Sequence, residues 1–125
     1  MIAKFLNVIA LALAAAAFCG AMHVDASAAS KTTDPAVDRA ARDAMAAHAT
    51  RVPKTVADAT SGSFAVVVWE LGTGGGECAL RHIGGRWRAL ACGGGQMNAA
   101  DLERLYHADA HDATAIMTTL AKRGY

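Results

Sequence analysis

Two cysteines bracket the stretch ECALRHIGGRWRALAC: Cys78 stands near its start, Cys92 closes it, and the pair Gly84-Gly85 sits in the middle. Runs 77–83 and 86–92 on either side of that pair read as two strands of a hairpin. A two-residue loop at Gly84-Gly85 would set Arg81 opposite Arg88 and Cys78 opposite Ala91, putting like charges together and the cysteines on opposite faces. A three-residue loop from Gly84 to Arg86 instead sets Cys78 opposite Cys92, Leu80 opposite Leu90 and Ile83 opposite Trp87. The second register is the one expected. Directly opposed residues lie about 4.5–5.5 Å apart at Cα, within the window of a disulfide. Closing a loop of about 15 residues stabilises a fold by about 3 kcal/mol in the chain-entropy model. A redox pair would want C-x-x-C beside a helix N-terminus, and a structural zinc site would want two further ligands at motif spacing; neither is present.

Whether those thiols oxidise depends on where the chain goes. Residues 1–26 have the form of a signal peptide: Lys4 as a positive start, an apolar run from Phe5 to Phe18, and small residues before a cleavage point after Ala26. The apolar run is shorter than the roughly 20 residues of a membrane span. Phe18 precedes Cys19 where a lipoprotein would need a small residue. An uncleaved N-terminal anchor is the alternative. Cleavage leaves 99 of the 125 residues, and because Lys4 and Asp25 leave together the formal charge stays at +1. That balance offers no electrostatic footprint for nucleic acid or anionic lipid. It also removes Cys19, so Cys78 and Cys92 become the only thiols of an exported protein, the even count that favours a disulfide. The expected location is periplasmic or secreted, with no membrane span once the leader is gone.

Residues 27–33 read as a disordered polar tail, and 34–125 as a single domain. Asp34-Pro35 opens a helix with an N-cap acceptor and a proline at the first helical position. Val37, Ala41, Ala44, His48 and Val52 then recur at helical spacing up to Pro53. Residues 54–62 read as a connector with a short strand around Val56. SFAVVVWEL, residues 63–71, is apolar on both alternating faces and belongs in the interior of a sheet. After the hairpin, GGGQMN runs into a helix over 99–106 that buries Leu102, Leu105 and Tyr106. Asp109 falls where the apolar stripe of a continuous helix would lie and resembles an N-cap, so a break is expected before a last helix over 110–122 burying Ala113, Ile116, Met117 and Leu120. The expected fold class is α+β: an N-terminal helix, an antiparallel sheet of three to four strands, and two C-terminal helices covering one face.

Chemistry-bearing residues are few. His107 and His111 stand four apart, with Asp109 and Asp112 beside them as oxygen donors, and these four are the candidate metal ligands. Met45, Met97 and Met117 are soft donors at core-like spacing. His48 reads as half-buried packing and His82 as a strand residue near the hairpin tip. The glycine loops lack the lysine and hydroxyl of a P-loop. No Ser/His/Asp, Cys/His or paired-carboxylate arrangement emerges, so no enzyme activity is expected.

The order DPAVDRAARDAM, then VVVWELGTGGGECALRHIGGRWRALACGGGQM, then DLERL and ATAIMTTLA, resembles small exported bacterial proteins of the copper uptake system-associated family. The matching positions include Asp34, Pro35, Trp69, Gly75, Arg81, Trp87, Cys92 and Gly93. Cys78 departs from that pattern. The resemblance implies a non-enzymatic periplasmic accessory protein in a copper uptake or homeostasis context, with copper as the metal in play and a protein partner in the envelope. It carries over no metal ligands. A secreted interaction or inhibitor module without metal is the alternative.

Overall fold

The computed structural model describes residues 32–125. The expected signal peptide and most of the 27–33 tail lie outside the described residues. Thr33, the last tail residue, is tied down: its N–H and hydroxyl both donate to the Asp58 carboxylate, at 2.8 and 2.7 Å.

Helix α1 (Pro35–Ala46) begins as the sequence predicts. The Asp34 carboxylate accepts the N–H groups of Ala36 and Val37, and Pro35 occupies the first turn, where it forfeits no hydrogen bond. Val37, Ala41 and Met45 form its buried face. It stops well short of the predicted end. Thr50 and Val52 are β-branched, and Val52 precedes Pro53, which disfavours helical backbone there. His48, expected to be half-buried, is consequently exposed, and Val52 is 62% exposed.

Four strands follow, β1 (Lys54–Ser61), β2 (Phe64–Leu71), β3 (Gly74–Ile83) and β4 (Arg86–Gly94), each antiparallel to the next in the order β1-β2-β3-β4. Two-residue turns led by glycine join them. In the last, Gly84 and Gly85 have φ of 58° and 79°, the positive values that a type I′ turn demands at both central positions. The full length of β1 corrects the sequence reading, which saw a connector there.

Two further helices, α2 (Ala99–Tyr106) and α3 (Ala110–Lys122), close the fold with the predicted boundaries. The Asn98 side chain and Asp101 cap α2 reciprocally, and Asp109 caps α3. The α+β expectation holds, and the sheet is covered on both faces. On one, Ala65, Val67 and Leu80 pack against Val37, Ala41 and Met45 of α1. On the other, Val66, Val68 and Ala79 pack against Leu102, Ile116 and Leu120 of α2 and α3. That is why β2 is apolar on both sides. Leu105, expected in the core, is 49% exposed, because α2 turns Leu102 and Tyr106 inward instead.

The hairpin carries both registers weighed above. Cys78 pairs with Cys92 and Ala79 with Ala91, then a bulge intervenes, and Leu80 pairs with Ala89, Arg81 with Arg88, His82 with Trp87 and Ile83 with Arg86. Leu90 is the extra residue. The predicted Leu80–Leu90 and Ile83–Trp87 pairs are therefore corrected, whereas the disulfide forms, with sulfurs 2.12 Å and Cα atoms 4.0 Å apart. A bulge adds one residue to one strand, which converts the tight-turn register into the register that aligns the cysteines.

Asp58 is the polar centre of the fold. Fully buried on edge strand β1, it accepts the N–H and hydroxyl of Thr33 and the Asp34 N–H, the last at 2.8 Å. Arg123, just past α3, lies 3.6 Å from the same carboxylate and donates to the Asp58 backbone carbonyl. Removing this acceptor strands two part-buried backbone donors and a guanidinium. Asp58→Ala is expected to cost about 3 kcal/mol of unfolding free energy, whereas Thr33→Ala, which deletes a single hydroxyl bond, costs about 1 kcal/mol. Urea denaturation of both variants checks the ratio.

Candidate functional site

The four candidate metal ligands occupy the α2–α3 corner and are engaged in making it. His107 ends α2 in the left-handed region, φ 58°, with its N–H bonded to the Glu103 and Leu102 carbonyls. Histidine is among the residue types that tolerate this conformation. Its side chain is exposed, as is that of His111. Asp109 spends its Oδ1 on the His111 N–H, 2.8 Å away, as the cap of α3. Asp112 accepts the Ser61 hydroxyl at 2.7 Å and so fastens α3 to the β1–β2 turn. Among the described residues, no three His, Cys, Asp or Glu side chains gather in a way that could hold a metal ion. In the corner that the sequence offers as a ligand set, Asp109 and Asp112 make capping and fastening bonds while His107 and His111 stand exposed beside them. Met97 and Met117 pack against the core of the α2–α3 face, and Met45 belongs to the core under α1.

The concave surfaces lie elsewhere. Under the C-terminal half of α1, an apolar cleft of about 530 Å³ is walled by Met45, Pro53, Trp69, Leu71 and Leu90. Leu90 is displayed there by the bulge, 39% exposed. The Trp69 indole Nε1 is buried without a hydrogen-bond partner among the described residues, although the ring itself is only half-buried. Gly76 makes room for that ring, because a β-carbon there would overlap the Gly93 carbonyl and the indole. A second, wider cleft of about 780 Å³ opens between the N-terminal half of α1 and the hairpin tip, where Arg39, His82 and Trp87 line it. His82 meets Trp87 edge-on, ring centres 5.0 Å apart.

Arg81 turns toward the α2 side of the sheet. Its guanidinium lies 4.6 Å over the Phe64 ring and donates to the Tyr106 carbonyl at 3.3 Å. It thereby holds α2 to the sheet.

Nothing in the spacing of residues around Glu77 marks it as a buried carboxyl. It is 5% exposed on β3, at the glycine-rich end of the sheet, and its Oε2 accepts the Met97 N–H at 2.7 Å. That bond ties the loop entering α2 to the sheet. Burial raises the carboxyl above its usual range, and the Met97 bond only partly opposes this. No histidine accompanies it in the clefts it lines, where Glu70, Thr73, Gln96, Tyr106 and Tyr125 are the other functional side chains. The arrangement offers apolar concavity and hydrogen-bonded structure rather than a nucleophile, base and electrophile in register.

Comparison with known proteins adds no relative: no family model, no curated protein and no solved structure matches the chain.

A group whose folded pKa is raised binds its proton more tightly when folded. Glu77 therefore withholds stability above its folded pKa, and that stability returns as pH falls toward the usual carboxylate range. Glu77→Gln, whose carbonyl can still accept the Met97 N–H, is expected to melt above the parent at neutral pH. The gap should shrink as pH drops through the folded value; paired thermal melts from pH 8 to 4.5 read it directly.

Proposed function

We propose that this is a non-enzymatic accessory protein of the cell envelope, working in a copper-handling context, and that it acts by docking a protein partner rather than by ligating metal. The observation that carries the reading is the apolar cleft walled by Met45, Trp69, Leu71 and Leu90. A concave apolar site with an aromatic wall, here Trp69, is what a partner's anchor residues use. The Cys78–Cys92 disulfide is compatible with an oxidising compartment, and no described helix is long and apolar enough to cross a membrane. The copper context rests on the sequence resemblance alone. The engaged state of Asp109 and Asp112 supports docking over carriage, and it equally favours a second reading, a secreted interaction or inhibitor module with no link to copper.

Two measurements separate these. Calorimetric titration of Cu(I) and Cu(II) into the protein and into its His107→Ala/His111→Ala variant should give indistinguishable isotherms without a stoichiometric site. A one-to-one site lost in the variant would replace docking by metal carriage. A photo-crosslinking residue at Leu90, compared with one at exposed Thr114 on α3, should yield a discrete adduct in the envelope of living cells from Leu90 only. An adduct that varies with copper supply places the protein in that context, one indifferent to copper favours the second reading, and no adduct at all removes the docking reading.

A further inference from the structure

The sheet has two edges of different character, and an inference about the partner, resting on the docking reading above, follows from the contrast. At β1, Arg123 donates to the Asp58 carbonyl, and the chain entering α1 is bonded to the Asp58 side chain at Thr33 and Asp34. At β4, the backbone bonds of the strand go to β3, and its outer side takes no backbone partner among the described residues. Such a row of unpaired N–H and C=O groups is a template for one more strand.

The side chains of β4 sort by face. Trp87 and Ala89 pack toward α1, with Leu90 exposed beside them. Arg88 alternates with Trp87 and so falls on the other side, whereas Arg86, next to the turn, also borders the cleft lined by Arg39, His82 and Trp87. Arg88 stands directly opposite Arg81, a like-charge pair whose repulsion is unfavourable. Arg81 is satisfied by Phe64 and the Tyr106 carbonyl. Arg86 and Arg88 are exposed, and neither forms an ion pair among the described residues. The free edge therefore presents two unneutralised cations, Arg86 by the cleft at the turn and Arg88 on the opposite face, beside the aromatic-aliphatic surface of Trp87, Ala89 and Leu90. A second copy of β4, RWRALACGG, carries no carboxylate to meet those arginines.

We propose that β4 is a strand-addition site for an extended segment of a partner protein in which acidic and apolar residues alternate. The segment pairs with the outer backbone of residues 86–89. Its carboxylates lie beside Arg86 and Arg88, and its apolar side chains lie beside Trp87 and over Leu90. The bulge at Leu90 breaks the even spacing of the edge and so limits the register in which an added strand can lie.

The probe is a phage-displayed library of randomised peptides of strand length, about ten residues, panned on the protein as purified from expressing cells with its disulfide intact. Enriched peptides are expected to alternate Asp or Glu with β-branched or aromatic residues and to shift the amide resonances of β4. N-methylation of every second amide on the bonding side should abolish their binding, and Arg86→Glu/Arg88→Glu should weaken it about tenfold or more. Both arginines are exposed, so the variant's melting temperature serves as the control for folding. Peptides that map to another face, or that bind equally well when N-methylated, overturn strand addition while leaving the docking reading in place. Failure to enrich any peptide also overturns it, and the docking reading then stands or falls on the crosslinking result alone.

Discussion

The structure depends on one buried carboxylate. Asp58 lies on an edge strand, fully buried from solvent, and a polar group in that position is tolerated only when its hydrogen-bonding capacity is filled. Two segments far apart in sequence do so: the approach to α1 through Thr33 and Asp34, and Arg123 beyond α3. The same contacts decide where α1 lies. With its first turn pinned at β1, α1 runs over the sheet toward β4 and places Met45 where it walls the apolar cleft. An interaction at one edge of the sheet thus shapes the concave surface near the other.

Around the hairpin, two local demands conflict. Gly84 and Gly85 favour a two-residue turn, and that turn taken alone would point Cys78 and Cys92 to opposite faces. The bulge at Leu90 settles the conflict by inserting a residue between the turn and the disulfide. Its by-product is a leucine pushed toward solvent, at the rim of a cleft that also holds Trp69. The covalent staple and the apolar surface are consequences of the same inserted residue.

Much of this was legible in the sequence where periodicity and capping chemistry agree. Asp34-Pro35, Asn98 with Asp101, and Asp109 mark their helices because each supplies an acceptor that orphaned backbone N–H groups require. The two-sided apolarity of 64–68 announced an interior strand. β1 was obscured because KTVADATS contains three alanine or serine positions and a central aspartate, residues of low strand propensity; only the third dimension shows that Asp58 has partners. The signal that could have found it was Gly62-Ser63, a turn pair with the same glycine-first form as the next connection. The four-residue spacing of His107 and His111 is legible in the sequence, whereas the bonds that Asp109 and Asp112 make are not. Glu77 was unreadable because its burial comes from a loop folding back over the strand, at Met97.

The inequality of the two sheet edges has an implication for stoichiometry. Filaments built by head-to-tail strand pairing need a donor edge and an acceptor edge on every subunit. Here the guanidinium of Arg123 and the pinned N-terminal chain obstruct one side. Growth by that route must therefore terminate after a single step, so the edge that can accept a strand does not by itself lead to a fibre.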